Sequence, residues 1–422
     1  MAHQTSNIPW NILASNLQFS QANQTHNRNL HLRHKPGQGK RLHYFVEALT
    51  NNIHQHSAQT RKRYPERYDA PHSDDIILDD ATVRKVTPTV HRLRSHASWK
   101  TEYEPSIFPS RGEICQHKGD TECRCPIPYE ERKASSFYRR YRRNKCYRFH
   151  EDNGEAFFNL EVVKSLLLHG EMDVIFRVCA YPGVDLGTWW DMFTCYCNPH
   201  DVGWDTLCTK ALLPYIGLNV IFCFPETWDP ASGMTDEKDY RQMKVYQYML
   251  HQCTLSGMTS EVATHPHRQF FGIEDGQFHS HGALGGPRPL YGSVSFEHFL
   301  NCETPTDSRP GRCDVPQVQG ILYSKGLPME LVLEIMDLAE YTPRGRLWVP
   351  HHPFHRGNWD ELEKYLKFCW QVLVRCDMMA SALGMVIPWQ ELVSQTLIEL
   401  FDCCTGRWWT RDWDTPKGYT FL

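Results

Sequence analysis

The chain has 422 residues, of which 41% are hydrophobic and 12% aromatic, and its formal net charge is −4. At roughly 150 residues per domain this length corresponds to two or three units, and the apolar content excludes a chain with no core. The charge is unevenly placed: residues 1–150 hold 25 Lys/Arg against 14 Asp/Glu, whereas residues 151–422 hold 20 against 35. A basic arm ahead of an acidic body bears on partners rather than on fold.

The N-terminus lacks the apolar core of a signal peptide. The longest apolar run, Pro214 to Pro225, falls short of the ~20 residues a bilayer span requires. We therefore expect no membrane segment and a location in the nucleus and/or cytoplasm. The 16 cysteines are then reduced thiols or metal ligands rather than a disulfide framework.

Residues 1–98 are rich in Asn, Gln, His, Ser and Arg, and apolar periodicity is confined to Trp10 to Phe19. Such composition buries too little apolar surface to offset chain entropy, so a disordered basic tail is expected. A Cys/His-rich, mixed α/β middle domain is expected over 99–302. Within it Leu160, Val163, Leu167 and Leu168 predict a helix ending at Gly170. Asn219 to Phe224 predicts a short buried strand or core segment, and Asp236 to His251 a helix. Residues 303–320 are expected to be a linker.

A helical module is expected over 321–405, followed by a tail over 406–422. Leu327 to Glu340 (LPMELVLEIMDLAE) predicts a helix with Pro328 in its first turn and an acidic stripe at Glu330, Glu334 and Asp337. Nearly every other position is apolar, so most of its surface demands burial. Asn358 with Glu361 predicts a capping box. Leu362, Leu366, Cys369 or Trp370, Leu373, Cys376 and Ala380 then run along one face up to Gly384, and Pro388 opens a third helix. The fold class is thus mainly α with some β.

Cys115, His117, Cys123 and Cys125 place four zinc-type ligands within eleven residues, enough for a tetrahedral site. Cys195, Cys197, His200 and Cys208 form a second set of the same kind. Both sets also read as ordinary thiols. His265, His267, His279 and His281 add further metal-ligand types. Arg132 to Arg148 is the densest basic run, with Arg139, Arg140, Arg142 and Arg143 at its centre. It suits nuclear import or a solvated face better than nucleic acid, since no nucleic-acid-binding fold accompanies it. Arg132-Lys133-Ala134-Ser135 makes Ser135 a candidate phosphosite. No phosphate-binding loop, nucleophile elbow or zinc-protease motif occurs, and no enzyme activity is expected.

Leu327, Pro328, Glu330, Leu331 and Ile335 resemble the opening helix of an F-box. That resemblance implies a Skp-type adaptor as protein partner and a substrate-receptor role in an SCF ubiquitin ligase. Leu327, Pro328, Leu331 and Ile335 are then the partner-binding residues. More broadly, Cys123 to Tyr138 and Tyr365 to Met379 resemble segments of a group of filamentous-fungal proteins, a resemblance that brings no established activity. The expected function is protein interaction. The alternatives are a scaffold whose C-terminal helices pack only internally, and a zinc- or cysteine-dependent enzyme. Exposure of Leu331 and Ile335 separates docking from internal packing.

Overall fold

The computed structural model describes residues 7–21, 30–96, 127, 129–138, 149–192, 202–255, 261–274, 276–279, 291–303, 312, 314–339, 341, 345–401, 409–411 and 419–422. The helices are α1 (Trp10–Ser15), α2 (Gly39–Arg61), α3 (Asp80–His96), α4 (Phe149–His169), α5 (Met172–Ala180), α6 (Asp205–Phe222), α7 (Lys244–Thr254), α8 (Glu261–Phe271), α9 (Phe296–Leu300), α10 (Asp314–Ser324), α11 (Met329–Leu338), α12 (Trp359–Ala382) and α13 (Trp389–Phe401). Two antiparallel pairs complete the described chain: β1 (Leu17–Gln21) with β2 (Leu30–His34), and β3 (Trp409–Arg411) with β4 (Tyr419–Phe421). The class is mainly α with some β, and the C-terminal region is helical.

α6 lies at the centre. Its sequence DTLCTKALLPYIGLNVIF carries no charge beyond Asp205 and Lys210, and almost every residue from Thr206 to Ile221 is buried. A helix without a polar face must be surrounded, and α12, α7, α13, α8 and α1 all pack on it. Asn219 to Phe222 therefore belongs to a helix and not to a strand. A continuous apolar run carries no period that separates the two. Gly217 lets Met249 of α7 approach: a Cβ there would meet the Met249 sulfur at 2.8 Å.

The N-terminal stretch is part of this core, which corrects the expectation of a tail over 1–98. Leu42, Phe45, Val46, Leu49 and Ile53 form a buried stripe at helical spacing along α2. Val83, Val86 and Val90 do the same on α3. The polar residues that dominate the composition occupy the outer faces of these helices. α2 packs on α12, α13 and α1, and Trp10 of α1 meets Phe45 and Tyr215 edge-on.

One contiguous hydrophobic core runs from Ile8 to Phe421, so the boundaries expected near residues 99 and 321 do not divide it. The expected linker begins with Glu303, whose carboxylate faces buried His251 at 3.3 Å, and its last residues start α10. The expected C-terminal tail contributes buried Tyr419 and Phe421, the latter with its ring tilted against His43 of α2.

Helix ends show local chemistry at work. α4 stops as expected at Gly170, whose φ of 78° suits glycine. Arg375 of α12 donates to the carbonyls of Leu167 and Leu168 at 3.0 and 2.9 Å, satisfying two orphan acceptors. Asn358 stands at the N-cap of α12 as expected, but its side chain makes no capping bond. Its side chain instead bridges Val349 and His352 in the preceding loop. The helix expected over 236–251 begins only at Lys244, because Asp239 binds the backbone and guanidinium of Arg241 and closes a separate short turn.

Two kinds of buried polar group matter energetically. Lys164 and Glu161 form a fully buried ion pair at 2.6 Å, and the ammonium also donates to the Val202 carbonyl at 2.8 Å. Burial also depresses several histidines: His34 and His267 fall to about 3, and His31 and His352 to about 4, with Arg33 and Lys244 adding to the effect at His31 and Arg241 at His352.

Phe45→Ala is expected to lose about 3–5 kcal/mol in denaturant unfolding, as a core phenylalanine does; a loss near zero would return α2 to the status of an appendage. Because these histidines protonate in the unfolded chain near 6.5 but resist protonation when folded, stability is complete above that pH. It is lost as pH falls from about 6.5 toward 3–4. Unfolding midpoints measured across that range should fall, and His267→Gln should flatten part of the slope.

Candidate functional site: an exposed helical hairpin and a polar cleft

α10 and α11 pack on each other as a two-helix hairpin. Pro328 precedes α11 where its missing N–H costs nothing, and its carbonyl accepts from Val332 at 3.0 Å. Val332 and Met336 are buried on one side of α11, yet neither joins the contiguous core. The rest of the helix faces outward. Leu331 is 46% exposed and Ile335 41%, and Met329, Leu333 and Leu338 are exposed beside them. Ile321 and Tyr323 extend the apolar surface onto α10, which buries no residue at all. Glu330 and Glu334 are exposed among these side chains. Over residues 313–340 the sequence holds five acidic residues against one lysine.

Of the four residues expected to bind a partner, Pro328, Leu331 and Ile335 are exposed and Leu327 is half-buried. The demand for burial read from the α11 sequence is therefore not met within the described chain. The following helix, α12, lies against α6 and α2 rather than against α11.

A second feature joins residues far apart in sequence. His54 of α2, Phe176 and Cys179 of α5, and Asp377 of α12 line a cleft of about 550 Å³. The Asp377 carboxylate is almost fully buried. It accepts from the Trp389 indole N–H at 2.8 Å, and both of its oxygens lie 3.2 Å from His54 Nδ1. The His54 side chain is 44% exposed. Burial pushes the Cys179 thiol up to about 12, so it stays protonated at neutral pH. Tyr68, also on the cleft, donates to Asp173 at 2.5 Å.

A family model described as gramillins biosynthetic cluster protein GRA5 matches residues 11–409. The chain belongs to that family. The match reaches from α1 to β3, so the N-terminal helices are part of the family's unit, and it agrees with the resemblance to fungal proteins. No curated protein and no solved structure matches the chain significantly.

The other expected site residues are placed as follows. Cys115, His117, Cys123 and Cys125 lie outside the described residues, as do Arg139, Arg140, Arg142 and Arg143 and the set Cys195, Cys197 and His200. Cys208, the fourth member of that set, sits in the core, where burial and a hydrogen bond with Cys376 raise its thiol. His267 is buried with Nδ1 2.7 Å from the Tyr365 hydroxyl. His279 contributes its backbone N–H to Glu303 at 2.6 Å. Among the described residues no group of three or more His, Cys, Asp or Glu is arranged to hold a metal. Ser135 lies in a short 3₁₀ turn, half-buried, with its N–H on the Ser73 carbonyl. Arg132 beside it is buried and paired with Asp80 at 2.7 Å.

Sequence reasoning missed His54 and Asp377 altogether. They stand 323 positions apart, and neither belongs to a local motif. The one available signal was the α2 stripe, which would have turned residue 54 from a tail histidine into a helix residue beside the core.

Proposed function

We propose that the chain is an interaction protein, an accessory member of a biosynthetic cluster, and that the α10–α11 hairpin is its docking surface. The observation that supports this reading is the exposure of Leu331 and Ile335 within a surface of seven large apolar side chains. Contiguous apolar surface of this kind marks interaction sites. An 11-residue helix that buries nothing is also marginal in water unless something packs on it. The excess of acid over base around the hairpin suits a basic amphipathic helix of a partner protein, laid with its apolar side on Leu331 and Ile335.

The Leu-Pro-x-Glu-Leu resemblance makes a Skp-type adaptor of an SCF ubiquitin ligase the first specific partner to test. Such a partner would meet two helices only, because α12 is committed to the core. The proposed setting is the cytoplasm or nucleus. The described cysteines, among them Cys253, Cys369 and Cys376, are free thiols, in keeping with a reducing compartment.

The test is affinity isolation of the tagged full chain from a filamentous-fungal host, followed by quantitative mass spectrometry. Leu331→Asp with Ile335→Asp is compared with wild type and with Val386→Asp, a control that changes an exposed apolar residue outside the hairpin. Both variants should keep the wild-type unfolding midpoint. A partner should fall at least about tenfold with the double variant and not with the control. Skp adaptor with cullin in that set specifies the F-box-like role, and proteins of the same biosynthetic cluster specify the accessory role. Retention of every partner by a folded double variant contradicts the docking surface.

A further inference from the structure

Basic groups gather at a third place in the fold, where β2 packs on α7. Side chains alternate along a strand, so His31 and Arg33 of β2 share one face. Ser20 of β1 pairs with His31 in the antiparallel register and lies on that face too. His31 is 3% exposed, and neither of its ring nitrogens has a hydrogen-bond partner. The Ser20 hydroxyl is likewise buried without one. Buried polar groups in folded proteins are nearly always hydrogen-bonded, so this face retains bonding capacity that its own residues do not use.

His31 is aimed at the start of α7. A Cβ on Gly292 would lie 2.6 Å from His31 Cε1, 3.2 Å from its Nδ1 and 2.8 Å from the backbone nitrogen of Lys244. The Nδ1 edge of the imidazole therefore faces the first residue of the helix. Gly292 is tied to the same turn by its N–H, which donates to Gln247 Oε1 at 2.7 Å. α7 has eleven residues, follows Met243, and carries neither a side-chain cap nor an acidic residue in its first turn. No side chain of that turn offsets the positive end of the helix.

The charges acting on His31 have one sign. Burial comes first, and Arg33 and Lys244 then add to it, holding the imidazole down at about 4. At neutral pH the ring is uncharged and, in either tautomer, presents one N–H. The two cationic side chains and the helix end repel a metal ion and attract an oxyanion. His31 is buried while Ser20, Arg33 and Lys244 are half-buried, so the cluster reaches from the interior to the surface. Its donors come from two strands and a helix, which suits the three free oxygens of a phosphate group better than the two of a carboxylate.

We propose that Ser20, His31, Arg33, Lys244 and the start of α7 form a binding site for a phosphate group, carried either by inorganic phosphate or by a small phosphate monoester. Binding is non-covalent. His31 supplies the buried donor, and the two cations with the helix end balance the negative charge.

The test is calorimetric titration of the full chain with inorganic phosphate and, separately, with phenyl phosphate, at an ionic strength held constant with sodium chloride. Saturable binding of at least one of them is expected. Tighter binding of inorganic phosphate identifies the free anion as the ligand, and tighter binding of phenyl phosphate identifies a monoester. Arg33→Gln and Lys244→Gln, both at half-buried positions, should each weaken binding at least about tenfold. Lys62→Gln, which removes an exposed charge at the C-terminal end of α2, should leave it unchanged. The His31 ring resonance, assigned by its loss in His31→Gln, should titrate at higher pH in the bound protein, because a neighbouring anion favours the imidazolium. No saturable binding of either phosphate, equal binding by wild type and both cation variants, or an unmoved His31 titration at saturation would each overturn the proposal.

Discussion

Everything in this fold depends on covering α6. From Ala211 to Ile221 its residues carry no charge and are buried on every side, so no single neighbouring helix can shield it, and the chain answers by surrounding it. α12, α7 and α13 form most of the sheath, and α1 closes it where Trp10 meets Tyr215. Tyr215 in turn meets Trp370 of α12. The first and last thirds of the sequence are therefore both needed to bury the middle, and this explains why one core crosses the expected domain boundaries. Cα-to-side-chain spacing is tight enough at Gly217 that even one added methyl would displace Met249.

What the sequence makes legible follows from how locally each feature is encoded. The end of α4 at Gly170 and the buried face of α12 are written in neighbouring residues, and the structure agrees with both. α6 was ambiguous because an unbroken apolar run has no period. α2 was readable in Leu42, Phe45, Val46, Leu49 and Ile53, but its polar outer face sets the average composition and hides the stripe. Asn358 shows the opposite failure. Its motif is local and correct in spacing, yet its side chain is drawn into the loop by Val349 and His352. The pairing of His54 with Asp377 is purely tertiary and leaves no trace in any window of sequence.

The hairpin and the cleft differ in what the rest of the molecule does for them. His54 and Asp377 are fixed by core helices, so the cleft is preorganised. The α10–α11 hairpin instead keeps its two buried apolar residues, Val332 and Met336, outside the main core, and turns most of its apolar side chains to the outside. Under the proposed docking role such an element would gain burial from association rather than from folding, and its acidic surroundings would bias that association toward a basic partner.

The most direct measurement of this account is amide hydrogen exchange on the purified full chain, at two protein concentrations and after isolation with its bound partners. Amides of α10 and α11 are predicted to exchange far faster than those of α6 and α12 in the isolated chain at both concentrations, and to become protected in the partner-bound material. Protection of α10 and α11 equal to that of α6 in the isolated chain would contradict it, because the hairpin would then already be covered by the protein itself.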